Sequence, residues 1–218
     1  MTPPRPRLLV VVTGTGTEVG KTWVSASLLQ LARARGLAVA ARKPVQSFPP
    51  GDQSPDSVRL AAASGEPPSV VCPESHSYPV PMAPPMAAAV LGRPGLSVAS
   101  LVADLRASWP PAGCDLGLVE GAGGVASPLV EDGDTAGVAR LLAADRVVLV
   151  ADPALGVINS VRLSVAALAR QPQPVVVHLN RYEPADDLHR RNAAWLSDRD
   201  ALTVTTTVAG LLDELMGG

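Results

Sequence analysis

Residues 14–22 form a glycine-rich segment that ends in Gly20-Lys21-Thr22. This ending matches a P-loop, the turn between a strand and a helix whose backbone N–H groups hold phosphate. Lys21 would place its ammonium on the β- and γ-phosphates of a nucleotide, and the Thr22 hydroxyl would help to hold Mg²⁺. The leading glycine stands at position 14, one residue before the strict spacing. Because backbone N–H groups do most of the binding, the predicted chemistry survives this displacement.

A second cluster, Glu120-Gly121-Ala122-Gly123-Gly124, follows the apolar run Leu116–Val119. A carboxylate that ends a buried strand beside the P-loop strand is well placed to hold Mg²⁺, directly or through water. The glycines allow the backbone to approach a ligand closely. The alternative is a flexible turn with a solvated Glu120, and the P-loop makes that alternative less attractive.

Lys43 is the second of two lysines in a chain with sixteen arginines, which suggests that both lysines are retained for chemistry. Pro44 biases Lys43 towards extended geometry, so Lys43 should lie at the carboxyl end of a strand, where the P-loop also lies. A second ammonium there would stabilise a transferring phosphoryl group and its acceptor. Two later residues remain ambiguous: Ser47 binds substrate or caps a turn, and Asp56 caps a helix or faces a metal.

The elements that must position these residues alternate between strands and helices. Apolar runs predict strands at Leu8–Val12, Ala38–Arg42, Leu116–Val119, Val147–Ala151, Val175–Leu179 and Leu202–Val208. Amphipathic segments predict helices at Lys21–Arg35, Ser97–Ala107, Asn159–Ala169 and Asp186–Leu196, with a further helix-like segment from Asp56. This alternation of strands and helices predicts an α/β fold with a mostly parallel sheet covered by helices on both faces. Ligands of such sheets bind at the carboxyl ends of the strands.

Length and composition narrow the class of protein. The 218 residues suit one domain, for which we expect residues 1–6 to form a flexible tail. Apolar residues make up 47% of the chain, enough for a core, and a net charge of −2 argues against binding nucleic acid through bulk charge. Cys72 and Cys114 lack the spacing of a zinc site. The apolar runs are too short for a signal peptide or a membrane span, so we expect a cytoplasmic protein.

Taken together, these motifs resemble the dethiobiotin synthetase family, the ATP-dependent carboxylases of biotin synthesis, which have a P-loop NTPase fold. The resemblance runs from Val12 to about Arg181 and includes two later segments, Leu155–Asn159 and Asn180-Arg181. Members of this family have the leading glycine of the P-loop at the position that Gly14 occupies here. The resemblance implies a homodimer that uses ATP, Mg²⁺, CO₂ and 7,8-diaminopelargonate. One amine would take up CO₂ as a carbamate, ATP would phosphorylate it, and the other amine would displace phosphate to close the ring of dethiobiotin.

The resemblance also implies residue roles. Lys43 and Lys21 would be catalytic, and Thr22, Asp56 and Glu120 would hold Mg²⁺, with Asp56 preferred to Asp52 because it keeps the family's spacing. The nucleotide-binding residues would be Glu18, Val19, Gly20, Lys21, Thr22, Trp23, Asp56, Glu120, Gly121, Ala122, Gly123, Asn180 and Arg181. The substrate-binding residues would be Ser47 and, at the dimer interface, Gly156, Val157, Ile158 and Asn159.

Three other functions fit parts of the sequence. P-loop switch ATPases of the partitioning or septum-site type usually carry a second lysine near the start of the loop, where this chain has none. ATP-dependent amide-forming enzymes of cobalamin synthesis lack the Lys43-Pro44-Val45 signature. A nucleotide-binding module without turnover would not need the complete set of Lys21, Thr22, Lys43 and Glu120.

Overall fold

The computed structural model describes residues 4–169 and 173–217. The strands of this part of the chain are β1 (Leu8–Gly14), β2 (Val39–Arg42), β3 (Gln46–Ser47), β4 (Ser77–Tyr78), β5 (Leu116–Glu120), β6 (Pro128–Val130), β7 (Gly133–Asp134), β8 (Arg146–Ala151), β9 (Val175–Leu179) and β10 (Thr203–Thr205). Its α-helices are α1 (Lys21–Ala34), α2 (Asp56–Ser64), α3 (Pro68–Val71), α4 (Pro84–Val90), α5 (Val98–Ala107), α6 (Thr135–Leu141), α7 (Val157–Leu168), α8 (Asp187–Ala194) and α9 (Val208–Met216). A 3₁₀ turn covers Glu74–His76, and a π turn over Trp195–Arg199 extends α8.

Six strands form the central sheet in the order β10-β9-β8-β1-β5-β2, and every neighbouring pair is parallel. The pairs β3–β4 and β6–β7 lie outside this sheet. In β1, Leu9 and Val11 pack with α4, α5, α6 and α7, whereas Val10 and Val12 pack with α1, α2 and α9. Both faces of the strand are therefore covered, which explains its uninterrupted apolar run from Leu8 to Val12. The predicted α/β fold is confirmed.

The structure also corrects several sequence predictions. The strand expected over Leu202–Val208 is limited to β10, because the Thr207 side chain accepts a hydrogen bond from Gly210 N and begins α9 there. The helix expected from Asn159 begins at Val157, and the one expected to reach Leu196 ends at Ala194 in the π turn.

The flexible tail expected over residues 1–6 stays a prediction, and two of its described residues, Arg5 and Pro6, contact the rest of the chain. Arg5 forms an ion pair with Asp145 at 3.0 Å, and Pro6 is buried. Pro6 packs where a side chain at Gly117 would stand, since a Cβ added there would lie 2.2 Å from Pro6 Cγ. Residues 1–3 lie outside the described part of the chain. Within that part, no helix is both long enough and apolar enough to cross a membrane.

Candidate active site

The glycine-rich loop connects β1 to α1 at the carboxyl edge of the sheet. A Cβ added to Gly14 would lie 2.8 Å from Val19 Cγ2 and 3.2 Å from Lys21 Cδ. The loop therefore needs a glycine at position 14, which accounts for the displaced motif. Backbone bonds tie the loop to its surroundings: Thr15 N donates to Val150 O at 3.0 Å, and Val125 N donates to Gly14 O at 3.1 Å.

The end of β9 holds the second half of the same loop. Gly20 has a φ of +91°, and a Cβ added there would lie 2.0 Å from Asn180 Nδ2. The buried Asn180 amide donates instead to Val19 O at 3.0 Å, and Arg181 Nη2 donates to Glu18 O at 3.2 Å. These contacts fix the shape of the loop, and the predicted role of Asn180 in reading the base stays a prediction.

Lys43 lies beside Glu120 because Arg42 on β2 is paired with Val119 on β5. The Lys43 ammonium is 2.7 Å from Asp56 Oδ2, 2.8 Å from Glu120 Oε1 and 3.0 Å from Gly121 O. The contacts with Glu120 and Gly121 are hydrogen bonds that Lys43 donates, and the contact with Asp56 is an ion pair. Burial would lower the pKa of Lys43, but the negative charges of Glu120 and Asp56 raise it above its ordinary value. Lys43 is therefore a buried cation, with 1% of its surface exposed.

Three oxygen atoms converge next to this ammonium. Thr22 Oγ1 lies 2.8 Å from Asp56 Oδ1 and 2.9 Å from Glu120 Oε1, yet a hydroxyl has one hydrogen and can donate to only one of them. Glu120 Oε2 is buried without a hydrogen-bond partner among the described residues. One hydroxyl and two carboxylates fit Mg²⁺, which takes one or two carboxylates and completes its shell with water and phosphate oxygens. In the described part of the chain, no three His, Cys, Asp or Glu side chains cluster as a metal site.

The ionisation of Asp56 and Lys21 depends on the same charges. Burial opposes the charge of Asp56, but the Lys43 ammonium outweighs it and the pKa of Asp56 falls below its usual value. The pKa of Lys21 is lowered, first by burial and then by the charge of Lys43. Lys21 Nζ donates to Gly16 O at 2.8 Å, on the inner side of the loop.

A cavity of about 600 Å³ joins the glycine-rich loop to the Lys43 side of the site. Most of its wall consists of residues predicted from the sequence: Glu18, Gly20, Lys21, Thr22, Trp23, Lys43, Ser47, Asp56, Ala122, Gly123 and Arg181. Thr17, Gln46 and Arg59 also line it and were not assigned a role. Arg59 stands three residues after Asp56 on α2, so helical spacing could have found it.

Gln46 has a positioning role that the motif alone did not reveal. Its Nε2 donates to Ser57 Oγ at 2.8 Å and to Ser77 Oγ at 2.7 Å, and its Oε1 accepts from Ser57 N at 3.0 Å. These bonds tie β3 to the first turn of α2, next to Asp56. The buried Gln46 amide thus helps to hold the Asp56 carboxylate in place relative to Lys43, which follows β2.

The start of α2 decides against one of the two interpretations of Asp56. Pro55 occupies the cap position, and Asp56 faces Lys43 and Thr22, so the capping interpretation is wrong. Asp52 instead accepts a hydrogen bond from Ser54 N at 2.9 Å within its own loop. Asp56, and not Asp52, therefore supplies one of the three converging oxygen atoms.

The predicted loop at residues 156–159 lies outside the cavity of the single chain. Gly156 has a φ of +95° and begins α7, and the Val157 side chain is buried in the core. Asn159 is exposed, and the neighbouring Leu155 has 88% of its surface exposed. Only the exposed part of this segment is free to contact another molecule.

The parallel sheet and the loop between β1 and α1 define a P-loop nucleotide-binding protein. The family AAA_26, described as an AAA domain, matches residues 9–209. The chain is 38% identical over 200 residues to ATP-dependent dethiobiotin synthetase BioD of Anaeromyxobacter dehalogenans (strain 2CP-C), covering 88% of this chain and 87% of that relative. It is 43% identical over 166 residues to the enzyme of the same name from Rhodococcus jostii (strain RHA1), covering 74% and 68%. The chain belongs to the ATP-dependent dethiobiotin synthetase family.

Solved structures resemble this fold at much lower sequence identity. A plasmid partition protein from Borrelia burgdorferi superposes with a TM-score of 0.59 at 10% identity, covering 98% of this chain and 97% of the other. At this identity the likeness shows the fold alone.

Proposed function

We propose that this protein forms dethiobiotin from 7,8-diaminopelargonate and CO₂, with conversion of ATP to ADP and phosphate. Membership of the synthetase family supports this reaction. The observation that carries it is the buried Lys43 ammonium, paired with Glu120 and Asp56 in the wall of the cavity that Lys21 also lines. A partition-type switch would have no use for this second lysine, so the site favours the synthetase over that alternative.

The reaction has three steps, and it requires two anions, the carbamate and the phosphate groups of ATP, to come close together. One amine attacks CO₂ and loses a proton, giving a carbamate. A carbamate oxygen then attacks the γ-phosphorus while ADP leaves, giving a carbamic-phosphoric anhydride. The second amine attacks the carbonyl carbon, phosphate leaves, and loss of a proton completes the cyclic urea. Carbamate and phosphate are both anions, so cations are needed to offset their repulsion.

The two lysines divide this task. Lys21, at the start of α1, would contact the β- and γ-phosphates, where the loop's backbone N–H groups and the helix N-terminus also favour negative charge. Lys43 would contact the carbamate and the γ-phosphate from the opposite wall, and Ser47 would bind the diamine. Thr22, Asp56 and Glu120 would hold Mg²⁺, which when bound supplies further positive charge to the phosphates. The lowered pKa of Asp56 keeps its carboxylate ionised for this purpose.

The segment 156–159 supports a homodimeric arrangement with the substrate site at the interface. Its exposed residues do not reach the cavity of their own chain, and Leu155 presents an apolar side chain to solvent. We therefore propose that this segment contributes to the substrate site of a second copy. Sedimentation should then give twice the chain mass of 22.3 kDa. A cytoplasmic location stays a prediction.

A turnover assay tests the reaction. ADP and dethiobiotin should appear in equal amounts only when the diamine, bicarbonate, Mg²⁺ and ATP are all present. A monoamine of the same chain length is the matched control, because it can form a carbamate but cannot close the ring. Phosphate release that is unaffected by the diamine would show that the proposed reaction is wrong.

A further inference from the structure

Lys43 shares its partners with the oxygens that would bind the metal. Its Nζ donates hydrogen bonds to Glu120 Oε1 and Gly121 O and forms an ion pair with Asp56 Oδ2. With two N–H groups in hydrogen bonds and the Asp56 carboxylate 2.7 Å from Nζ, the ammonium is already surrounded by partners and is not open to a carbamate or a phosphate. Lys43 can therefore act on substrate only after it gives up one of these partners.

Asp56 is the partner that can be given up. Its side chain is 39% exposed, whereas that of Glu120 is 0% exposed. Asp56 stands at the first residue of α2, where Oδ2 meets Lys43 and Oδ1 meets Thr22. A small movement of this carboxylate towards Thr22 would free one Lys43 N–H and leave the buried pair with Glu120 in place.

The convergent oxygens supply a reason for that movement. Thr22 Oγ1 can donate its single hydrogen to only one of the two carboxylate oxygens beside it. A positive ion bound by these oxygens would offset the repulsion between Oγ1 and the oxygen that receives no hydrogen. A divalent cation there and the Lys43 ammonium would compete for the same carboxylates, because each neutralises the charge that attracts the other.

We propose that Lys43 is a placeholder for the metal: it neutralises Asp56 and Glu120 until a divalent cation takes Asp56, and this exchange turns one Lys43 N–H towards the substrate. The proposal rests on the proposed function for the presence of a metal and a substrate anion. It adds that one event both binds the metal and frees a Lys43 N–H for the substrate. Binding of metal alone, without turnover, therefore suffices to test it.

The first experiment measures Mn²⁺ binding by electron paramagnetic resonance, without nucleotide, in the wild type and in Lys43→Gln. The variant should bind Mn²⁺ about tenfold more tightly or better, because the competing cation is gone. Arg106→Gln is the matched control: it removes the same charge at an exposed position, where Arg106 contacts Leu141 O, and should leave the affinity unchanged. Equal or weaker binding by Lys43→Gln would overturn the proposal.

The second experiment uses the wild type alone, since Lys43→Gln leaves the buried Glu120 carboxylate without its charge partner, which destabilises the variant in the absence of metal. The chain has two lysines, so ¹⁵N-lysine labelling gives two side-chain ammonium signals. Saturating Mg²⁺ should shift the Lys43 signal and speed the exchange of its hydrogens with water. A Lys43 signal that does not move when Mg²⁺ is bound would refute the exchange and leave the proposed reaction standing. If the wild type binds no metal even with ATP, the metal part of the proposed function fails as well.

Discussion

Replacement of Gly20 by alanine tests how β9 shapes the phosphate-binding loop. The left-handed backbone at φ +91° costs an alanine roughly 1–2 kcal/mol. The new Cβ would also lie 2.0 Å from Asn180 Nδ2, so the amide must move and lose its bond to Val19 O, at about 1 kcal/mol. We therefore expect Gly20→Ala to lower the free energy of unfolding by about 2–3 kcal/mol.

A double-mutant cycle separates the two contributions. Asn180→Ala alone should cost about 1–2 kcal/mol, because a buried hydrogen bond is lost. In the double variant the collision is absent, so its cost should fall short of the sum of the single costs by about 1 kcal/mol or more. Urea unfolding followed by circular dichroism gives all three values.

Two other glycines serve as controls for the same measurement. Gly36 has a φ of +81° and open space where a Cβ would stand, so Gly36→Ala reports the backbone cost alone. Gly16 has open space and no positive φ, so Gly16→Ala should change stability by less than about 0.5 kcal/mol. If Gly20→Ala is no more destabilising than Gly36→Ala, or if the cycle is additive, the contact with Asn180 does not shape the loop as argued.

Three further predictions concern the site and the sheet. Lys43→Arg should lower turnover about 10²-fold or more, since a planar guanidinium cannot replace a compact ammonium in the buried space beside Glu120 and Gly121 O; near-normal turnover would remove Lys43 from the mechanism. Gln46→Leu should raise the Mg²⁺ concentration needed for half-maximal turnover several-fold by loosening Asp56, whereas the exposed Gln53→Leu should not; equal behaviour of the two variants would contradict the positioning role. Burial lowers the pKa of His178 from 6.5 to about 4, so the unfolded chain takes up a proton that the folded chain does not. The free energy of unfolding should therefore fall by roughly 3 kcal/mol as the pH drops from about 6.5 to about 4. In His178→Gln, the free energy of unfolding measured in urea should depend less on pH over this interval. An unchanged pH dependence would show that His178 is not its source.

The features predicted well from the sequence are those that depend on residues adjacent to one another in the chain. The P-loop is one continuous segment, and strands buried on both faces contain uninterrupted apolar runs, as in Leu8–Val12 of β1 and Val147–Ala151 of β8. The first turn of α1 follows the glycine-rich segment directly. For such features the chemistry and the local conformation come from the same few residues, so spacing suffices to predict them.

The features that were missed depend on contacts between distant segments. Nothing local shows that β2 lies beside β5, which brings Lys43 next to Glu120. The strand expected up to Val208 failed because the β-branched run also contains a helix cap at Thr207, and the side-chain bond to Gly210 N prevailed. Pairings across the sheet and competition between local conformations are settled by tertiary packing, which a single sequence does not display.

The bond between Asn180 and Val19 joins residues 161 positions apart, and the loop is also tied to Val150. During synthesis, the phosphate-binding motif therefore leaves the ribosome well before Asn180, and it cannot take its working shape until β8 and β9 have followed. Parallel strands paired over such separations fold late, because the entropy of closing long loops must be met first. A nascent chain that stops before β9 would carry the whole motif and still lack the contacts that shape the nucleotide site, so ATP cannot assist folding until β9 has been made.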